Sequence, residues 1–381
     1  MKDSLLSYVR QHLSDFLGGL QELVELESPS DDRVLVGKAC DWVVHAFGRL
    51  RGAEIERMPG GPAADQVKVS WGWGSEQILL LCHVDTVWPA GTLERRPFRV
   101  DGDRAWGPGV YDMKGGILEA LWALKALAAA DVRLCRRVVI MVTSDEEVGS
   151  PSSRATIEAE ASKSMCVLVL EPAAGPLGAL KTWRKGVGSF RLEIVGRSAH
   201  AGVEPEKGVN AIEELACQIL ELQNMSDPAA GTTVNVGVVG GGMRRNVVPD
   251  KAWAEIDIRV KTREEADRVL SRLREIRPHL AGAQVRIAGD ITVPPMERGE
   301  GTIRLFELAR QLASELGFEV EEAGSGGASD GNFTAALGVP TLDGLGMVGD
   351  GAHAEHEHII VSTIPFRTAL LARLIAELCK G

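Results

Sequence analysis

The 381 residues carry no cysteine motif. Cys40, Cys82, Cys135, Cys166, Cys217 and Cys379 are scattered, and no C-x-x-C pair occurs. A zinc ribbon is thereby excluded, and a disulfide framework does not suit a chain this long. Cys82 and Cys166 lie inside apolar runs and read as buried free thiols. Phosphate-binding signatures are missing as well. No G-x-G-x-x-G opens a helix after a strand, GVVGGG and GSGGAS being the nearest approaches, and no G-x-x-x-x-G-K-[ST] exists. A G-x-S-x-G elbow is absent too. Nucleotide binding and serine hydrolysis therefore lack support. Apolar stretches such as VVIMV and CVLVL are far shorter than a membrane span. Asp3, Arg10, His12 and Asp15 interrupt the opening segment, which does not read as a signal peptide, so the cytoplasm is the expected compartment and no membrane partner is expected. With 53 acidic against 42 basic residues, and a net charge of −11, no basic stripe offers a footprint for nucleic acid.

What is present has ordinary globular proportions, 45% apolar and 25% charged, and the length suits two domains or one large one. Leu5, Leu6, Val9, Leu13, Phe16 and Leu17 recur at helical spacing and predict one amphipathic helix at the start. Up to about residue 184, strands alternate with helices. QILLLC (77–82), RVVIMVT (137–143) and MCVLVL (165–170) are short continuous apolar runs, as strands buried on both faces require, and 114–130 reads as a helix between the first two. Such alternation predicts an α/β fold with a mostly parallel sheet covered by helices. The pattern changes near Gly186. Strands at 189–195, 233–239, 252–260 and 283–287 and helices at 210–225 and 263–280 follow in the order βαββαβ, which predicts a ferredoxin-like α+β unit. Helices at 302–316 and 364–378 then resume the first pattern. The expected organisation is a catalytic domain in two pieces, 1–184 and 295–381, interrupted by an inserted domain at 185–294.

Three buried strands run into residues of one chemical kind. QILLLC leads to His83 and Asp85, RVVIMVTS to Glu146 and Glu147, and MCVLVL to Glu171, while Asp112 precedes a helix in GPGVYDMKGG. Each residue alone has a bland explanation: a structural His, a solvated Glu pair, a helix cap. Together they converge, because the crevice of an open α/β sheet lies at the carboxyl ends of its strands. Histidine with carboxylates and no cysteine suits zinc or another borderline dication in an open catalytic site. Two dications there would offset part of the acid surplus.

The segments H-x-D-T-V, G-x-x-D-M-K-G-G, D-E-E-x-G, strand-E-P and a late G-x-H-x-x-x-E resemble, in order and over nearly the whole chain, the di-zinc amidohydrolases. That family includes glutamate carboxypeptidase, acetylornithine deacetylase, succinyl-diaminopimelate desuccinylase and the aminoacylases. The stretch from His83 to Gly116 is most similar to the glutamate carboxypeptidase branch. The resemblance implies two zinc ions per subunit, with cobalt or manganese as substitutes. His83 and Glu171 would hold the first ion, Glu147 the second, and Asp112 would bridge them. Asp85 would orient His83 through its other ring nitrogen, and Glu146 would be the general base. GAHAEHEHII offers three histidines for the last ligand. The family pattern, a His followed four residues on by Glu and then an apolar strand, fits His353 with Glu357 and Ile359; His356 stays open as an alternative, and His356 and His358 read otherwise as exposed loop residues.

Further roles follow only from the resemblance. His200, in S-A-H-A-G, would stabilise the oxyanion, commonly in the partner subunit's site, which implies a homodimer. Asn246 and Arg259 match positions that hold a substrate carboxylate. Gly327 belongs to a G-G-x-S-D loop lining the pocket. One departure is informative: the branch has Arg before a Pro near the return to the first domain, and Val293 stands there instead. The expected activity is hydrolysis of an amide beside a free carboxylate in an N-acyl amino acid or small peptide, with a deacylase of the acetylornithine or succinyl-diaminopimelate kind as the alternative. A catalytically silent metal-binding protein is disfavoured by the complete ligand set together with Glu146.

Overall fold

The computed structural model describes residues 2–380. It divides into two compact units, the first formed by Met1–Trp183, Arg298–Ser325 and Ser329–Gly381, the second by Arg184–Glu297 and Gly326–Ala328.

A six-stranded sheet organises the first unit, in the order Glu54–Met58, Gln66–Trp71, Arg137–Thr143, Gln77–His83, Ser164–Val169, Thr341–Leu342. The last four run parallel and the first two antiparallel. Every residue of Gln77–His83 is buried. Its side chains alternate between two apolar layers: Ile78, Leu80 and Cys82 face the helices Gly115–Ala129 and Ile364–Leu378, whereas Leu79 and Leu81 meet Ile157 of the Arg154–Ala161 helix. Cover on both faces explains why this strand is apolar without a period of two. Fully burying each such Leu or Ile contributes roughly 1.5–3 kcal/mol, so the strand that ends in His83 is among the firmest parts of the unit. Register places His83 beside Thr143, so the residues following each strand emerge at one edge.

The second unit is a βαββαβ array. Its antiparallel sheet runs Thr233–Gly241, Lys251–Val260, Gly186–Val195, Gln284–Val293, with helices Ala211–Gln223 and Arg263–Glu275. Burial alternates strictly along Gly186–Val195, so Phe190, Leu192 and Ile194 meet Leu215, Leu222, Val269 and Leu273 in one core. Asn210 starts the first helix, its side chain accepting from Ile212 N (3.0 Å) and Glu213 N (3.1 Å).

Three elements differ from the sequence reading. The amphipathic start is two helices, Lys2–Gln11 and Leu13–Val24, with His12 between them in a non-helical conformation at φ −107°. The helix expected over 263–280 stops at Glu275, because Pro278 disfavours helical geometry just before it. The last strand of the second unit spans Gln284–Val293, well past the expected 283–287. All six cysteines are free; Cys40, Cys82, Cys166 and Cys379 are buried. Among the described residues, no helix is long and apolar enough to cross a membrane.

Candidate metal centre

His83 closes its strand with 1% of its surface exposed. Its Nε2 lies 3.3 Å from Asp112 Oδ1, 3.2 Å from Glu171 Oε1 and 4.0 Å from Glu146 Oε2. Asp112 sits in the Val110–Lys114 turn, entered through Gly109 in the left-handed region at φ +73°, where Cβ-bearing residues are disfavoured. The second oxygen of Asp112 faces another imidazole: Oδ2 is 3.4 Å from His353 Nε2, which also lies 3.0 Å from Glu147 Oε2. One carboxylate thus presents one oxygen to each histidine. His356 is exposed, its Nε2 3.7 Å from Asp350. His358, read from sequence as an exposed loop residue if not a ligand, is buried on the His358–Ile360 strand and packs 4.6 Å from the Trp106 ring.

Donor atoms of His83, Asp112 and Glu147 fall within 4.8 Å of one another, as do those of His83, Glu146 and Glu171. The buried Oε1 of Glu147 has no hydrogen-bond partner. Two imidazoles, four carboxylates and an orphaned carboxylate oxygen fit a pair of borderline dications, since like charges this close need a cation between them.

The electrostatics follow from that crowding. Burial pushes the Glu146 carboxyl well above the usual carboxylate range, and Glu171, Asp330 and Glu147 add to it against the lowering influence of His83. Burial also raises Glu147. At Asp112 burial acts upward too, but the hydrogen bonds from His353 and His83 outweigh it and hold this carboxyl far below its ordinary value. Burial opposes charge on His83, yet its acidic partners keep it protonated well above the usual range. His353 is raised to about 10 by Asp112 and Glu147.

Asp85 departs from its expected contact. His83 Nδ1 pairs with the backbone carbonyl of Asp85 at 3.0 Å, while the Asp85 carboxylate is 3.6 Å from that nitrogen. The carboxylate instead accepts from Glu146 N and Glu147 N, both at 3.2 Å, and from Ser30 Oγ at 2.6 Å. Sequence reasoning missed Ser30, whose proximity is purely tertiary. It also passed over Lys114, buried behind Asp112, whose Nζ donates to Leu26 O at 2.8 Å and whose pKa burial lowers to about 7.

The remaining candidates belong to the second unit. His200 and Asn246 are exposed, and their segments are joined by the His200–Val247 bridge and by Ala201 N donating to Asn246 O at 3.1 Å. Arg259 forks onto Asp257, at 2.9 and 3.0 Å. The Gly327 carbonyl accepts from Arg184 Nη1 at 3.2 Å, and Val293 is buried.

Residues 79–377 match the family model described as peptidase family M20/M25/M40. The chain belongs to this family. Within peptidase family M20/M25/M40 it is similar to carboxypeptidase G2 of Pseudomonas sp. (strain RS-16), with 32% identity over 95% of this chain and 89% of the relative. It is also similar to acetylornithine deacetylase of Myxococcus xanthus, 29% identical over 83% of each. Its fold matches that of the Bacillus subtilis YXEP protein, a dinuclear metal binding peptidase of the M20 family, with a TM-score of 0.75 and 17% identity over 97% of this chain and 99% of that one. The family is one of hydrolases, and the α/β architecture with a second α+β unit agrees with that structure.

Proposed function

We propose that the chain is a zinc-dependent carboxypeptidase or amidohydrolase. It hydrolyses an amide bond beside a free carboxylate and releases a C-terminal amino acid from an N-acyl amino acid or small peptide. The observation that carries this reading is the two-sided presentation of Asp112, Oδ1 toward His83 at 3.3 Å and Oδ2 toward His353 at 3.4 Å. In this reading His83 and Glu171 hold one ion, Glu147 and His353 the other, and Asp112 bridges them. Two zinc ions, or cobalt or manganese in their place, supply when bound the Lewis acidity that polarises the scissile carbonyl and acidifies water.

The protein groups do the rest. Glu146 takes the proton of the attacking water and returns it to the leaving amine, a role that suits a carboxyl that burial raises above the usual carboxylate range. Asp85 holds the Glu146–Glu147 backbone in place. Residues 185–294 act as an inserted lid and dimerisation domain, from which His200 donates to the developing oxyanion of a partner subunit, and Asn246, Arg259 and Gly327 bind substrate. The edge strand Thr233–Gly241 supports a dimer, since it has one sheet neighbour and exposes Val238 and Val239.

The similarity to carboxypeptidase G2 supports release of a C-terminal amino acid. Val293, in the place of an arginine, argues against a strict preference for glutamate. The similarity to acetylornithine deacetylase and succinyl-diaminopimelate desuccinylase supports a second reading, a deacylase of that type. The test is an amine-release assay on peptidyl-glutamates beside N-acetyl, N-succinyl and N-benzoyl amino acids, before and after chelation by EDTA. Activity lost to EDTA and restored by zinc or cobalt is expected; turnover unaffected by full metal removal contradicts the reading.

A further inference from the structure

One carboxylate beside the site has no role above. Glu357 is fully buried. Its Oε2 accepts from Trp88 Nε1 at 2.8 Å and Gly109 N at 2.9 Å, and its Oε1 accepts from Tyr111 N at 3.0 Å and Asp112 N at 3.1 Å. These partners are not drawn from one loop. Trp88 lies five residues after His83, Gly109–Asp112 ends in the bridging candidate itself, and Glu357 follows His353 by four. A single side chain therefore ties together the three segments that present His83, Asp112 and His353. A second clasp runs parallel to it: the Arg96 guanidinium lies 4.1 Å from the Trp88 ring centroid, and its Nη2 donates to Ala354 O at 3.3 Å.

The chemistry of the donors explains why the residue is Glu. All four are N–H groups, and an ionised carboxylate is acceptor-only, with room for two donors on each oxygen. Charge-assisted bonds of this kind are the stronger ones. An amide of the same shape would turn its NH2 against two of the four donors and leave them buried and unpaired. Fixing the Asp112 nitrogen fixes the point from which its side chain starts, and hence where its two oxygens fall.

We infer that Glu357 is a positioning residue of the metal centre: it holds the Asp112 backbone so that the two carboxylate oxygens are shared between the His83 and His353 sides. This rests on the reading that Asp112 bridges two ions. A merely structural Glu357 would lower stability and leave metal binding alone; a positioning Glu357 sets the affinity and geometry of the pair.

Metal-free wild type, Glu357→Gln, Trp88→Phe and the double variant are each titrated with cobalt(II), following ions bound per chain by calorimetry and the visible absorption bands. Circular dichroism checks that each variant is folded. The wild type is expected to bind two ions. Glu357→Gln should hold the weaker ion about 10–100-fold less tightly, with altered bands. Trp88→Phe should lose less, and the double variant less than the sum of the two, because removing the indole donor relieves the amide. If Glu357→Gln binds both ions with wild-type affinity and spectrum, the inference is overturned. Should that variant not fold, Trp88→Phe decides: weakened cobalt binding supports the inference, and wild-type binding overturns it. Wild type that binds fewer than two ions overturns the bridging reading itself, a different result from two ions indifferent to Glu357.

Discussion

The Asp85 carboxylate accepts the backbone N–H of Glu146 at 3.2 Å. A fully buried acid at the end of one strand thus fixes the turn after another, and that turn carries the candidate general base. Asp85→Asn should lower kcat by about 10–100-fold. The amide nitrogen would face N–H donors that now find a carboxylate oxygen, and the Glu146 side chain would lose its anchor. Steady-state kinetics check this; a variant with unchanged kcat would remove Asp85 from the catalytic arrangement.

Glu146 lies 4.0 Å from His83 Nε2 and groups with Glu171 around it, so it has the position of a ligand as well as a base. The two roles part in one variant. Glu146→Ala should reduce turnover by about 10²–10⁴-fold with metal content unchanged. Elemental analysis of the variant is the check, since loss of an ion would make Glu146 a ligand.

Glu119 is buried in the Gly115–Ala129 helix, and neither carboxylate oxygen has a hydrogen-bond partner. Burial raises its pKa from the ordinary 4.5 to about 8, against the weaker pull of Arg367. The folded chain therefore keeps a proton that the unfolded chain releases, and stability is lost as pH climbs between those values. Glu119→Gln should remove this slope. Its melting temperature should exceed that of wild type by a margin that widens from pH 5 to pH 8; parallel profiles would contradict the assignment.

Arg259 is engaged by Asp257 through two hydrogen bonds, so in its proposed role a substrate carboxylate competes with Asp257 for the fork. Arg259→Ala should raise KM roughly 10–100-fold while kcat changes little. Asp257→Asn, which weakens the competitor, should lower KM. A variant pair with unchanged KM would mean that the fork serves the strand alone.

Much of this was legible in the sequence, for a physical reason. Buried parallel strands are written as unbroken apolar runs, and His83, Glu146, Glu147 and Glu171 stand where such runs stop, at the sheet edge where functional groups gather. The βαββαβ order of the second unit was readable from its switch to half-buried alternation. Other features depend on tertiary neighbours. Nothing local shows that Ser30 reaches Asp85, that His83 turns to the Asp85 carbonyl in place of its carboxylate, or that His358 packs on Trp106. The break at His12 escaped because the apolar spacing continues through it. Pro278, by contrast, is a local signal, and the helix ends at Glu275 ahead of it.

The most direct measurement of the central claim compares N-acyl amino acids with their C-terminal carboxamides on the zinc-loaded chain, reading amine release. The account predicts cleavage of the free acids with kcat/KM at least about 100-fold above that of the carboxamides, because a neutral carboxamide forms weaker hydrogen bonds and does not draw the Arg259 fork away from Asp257. Equal or faster cleavage of the carboxamides would contradict it.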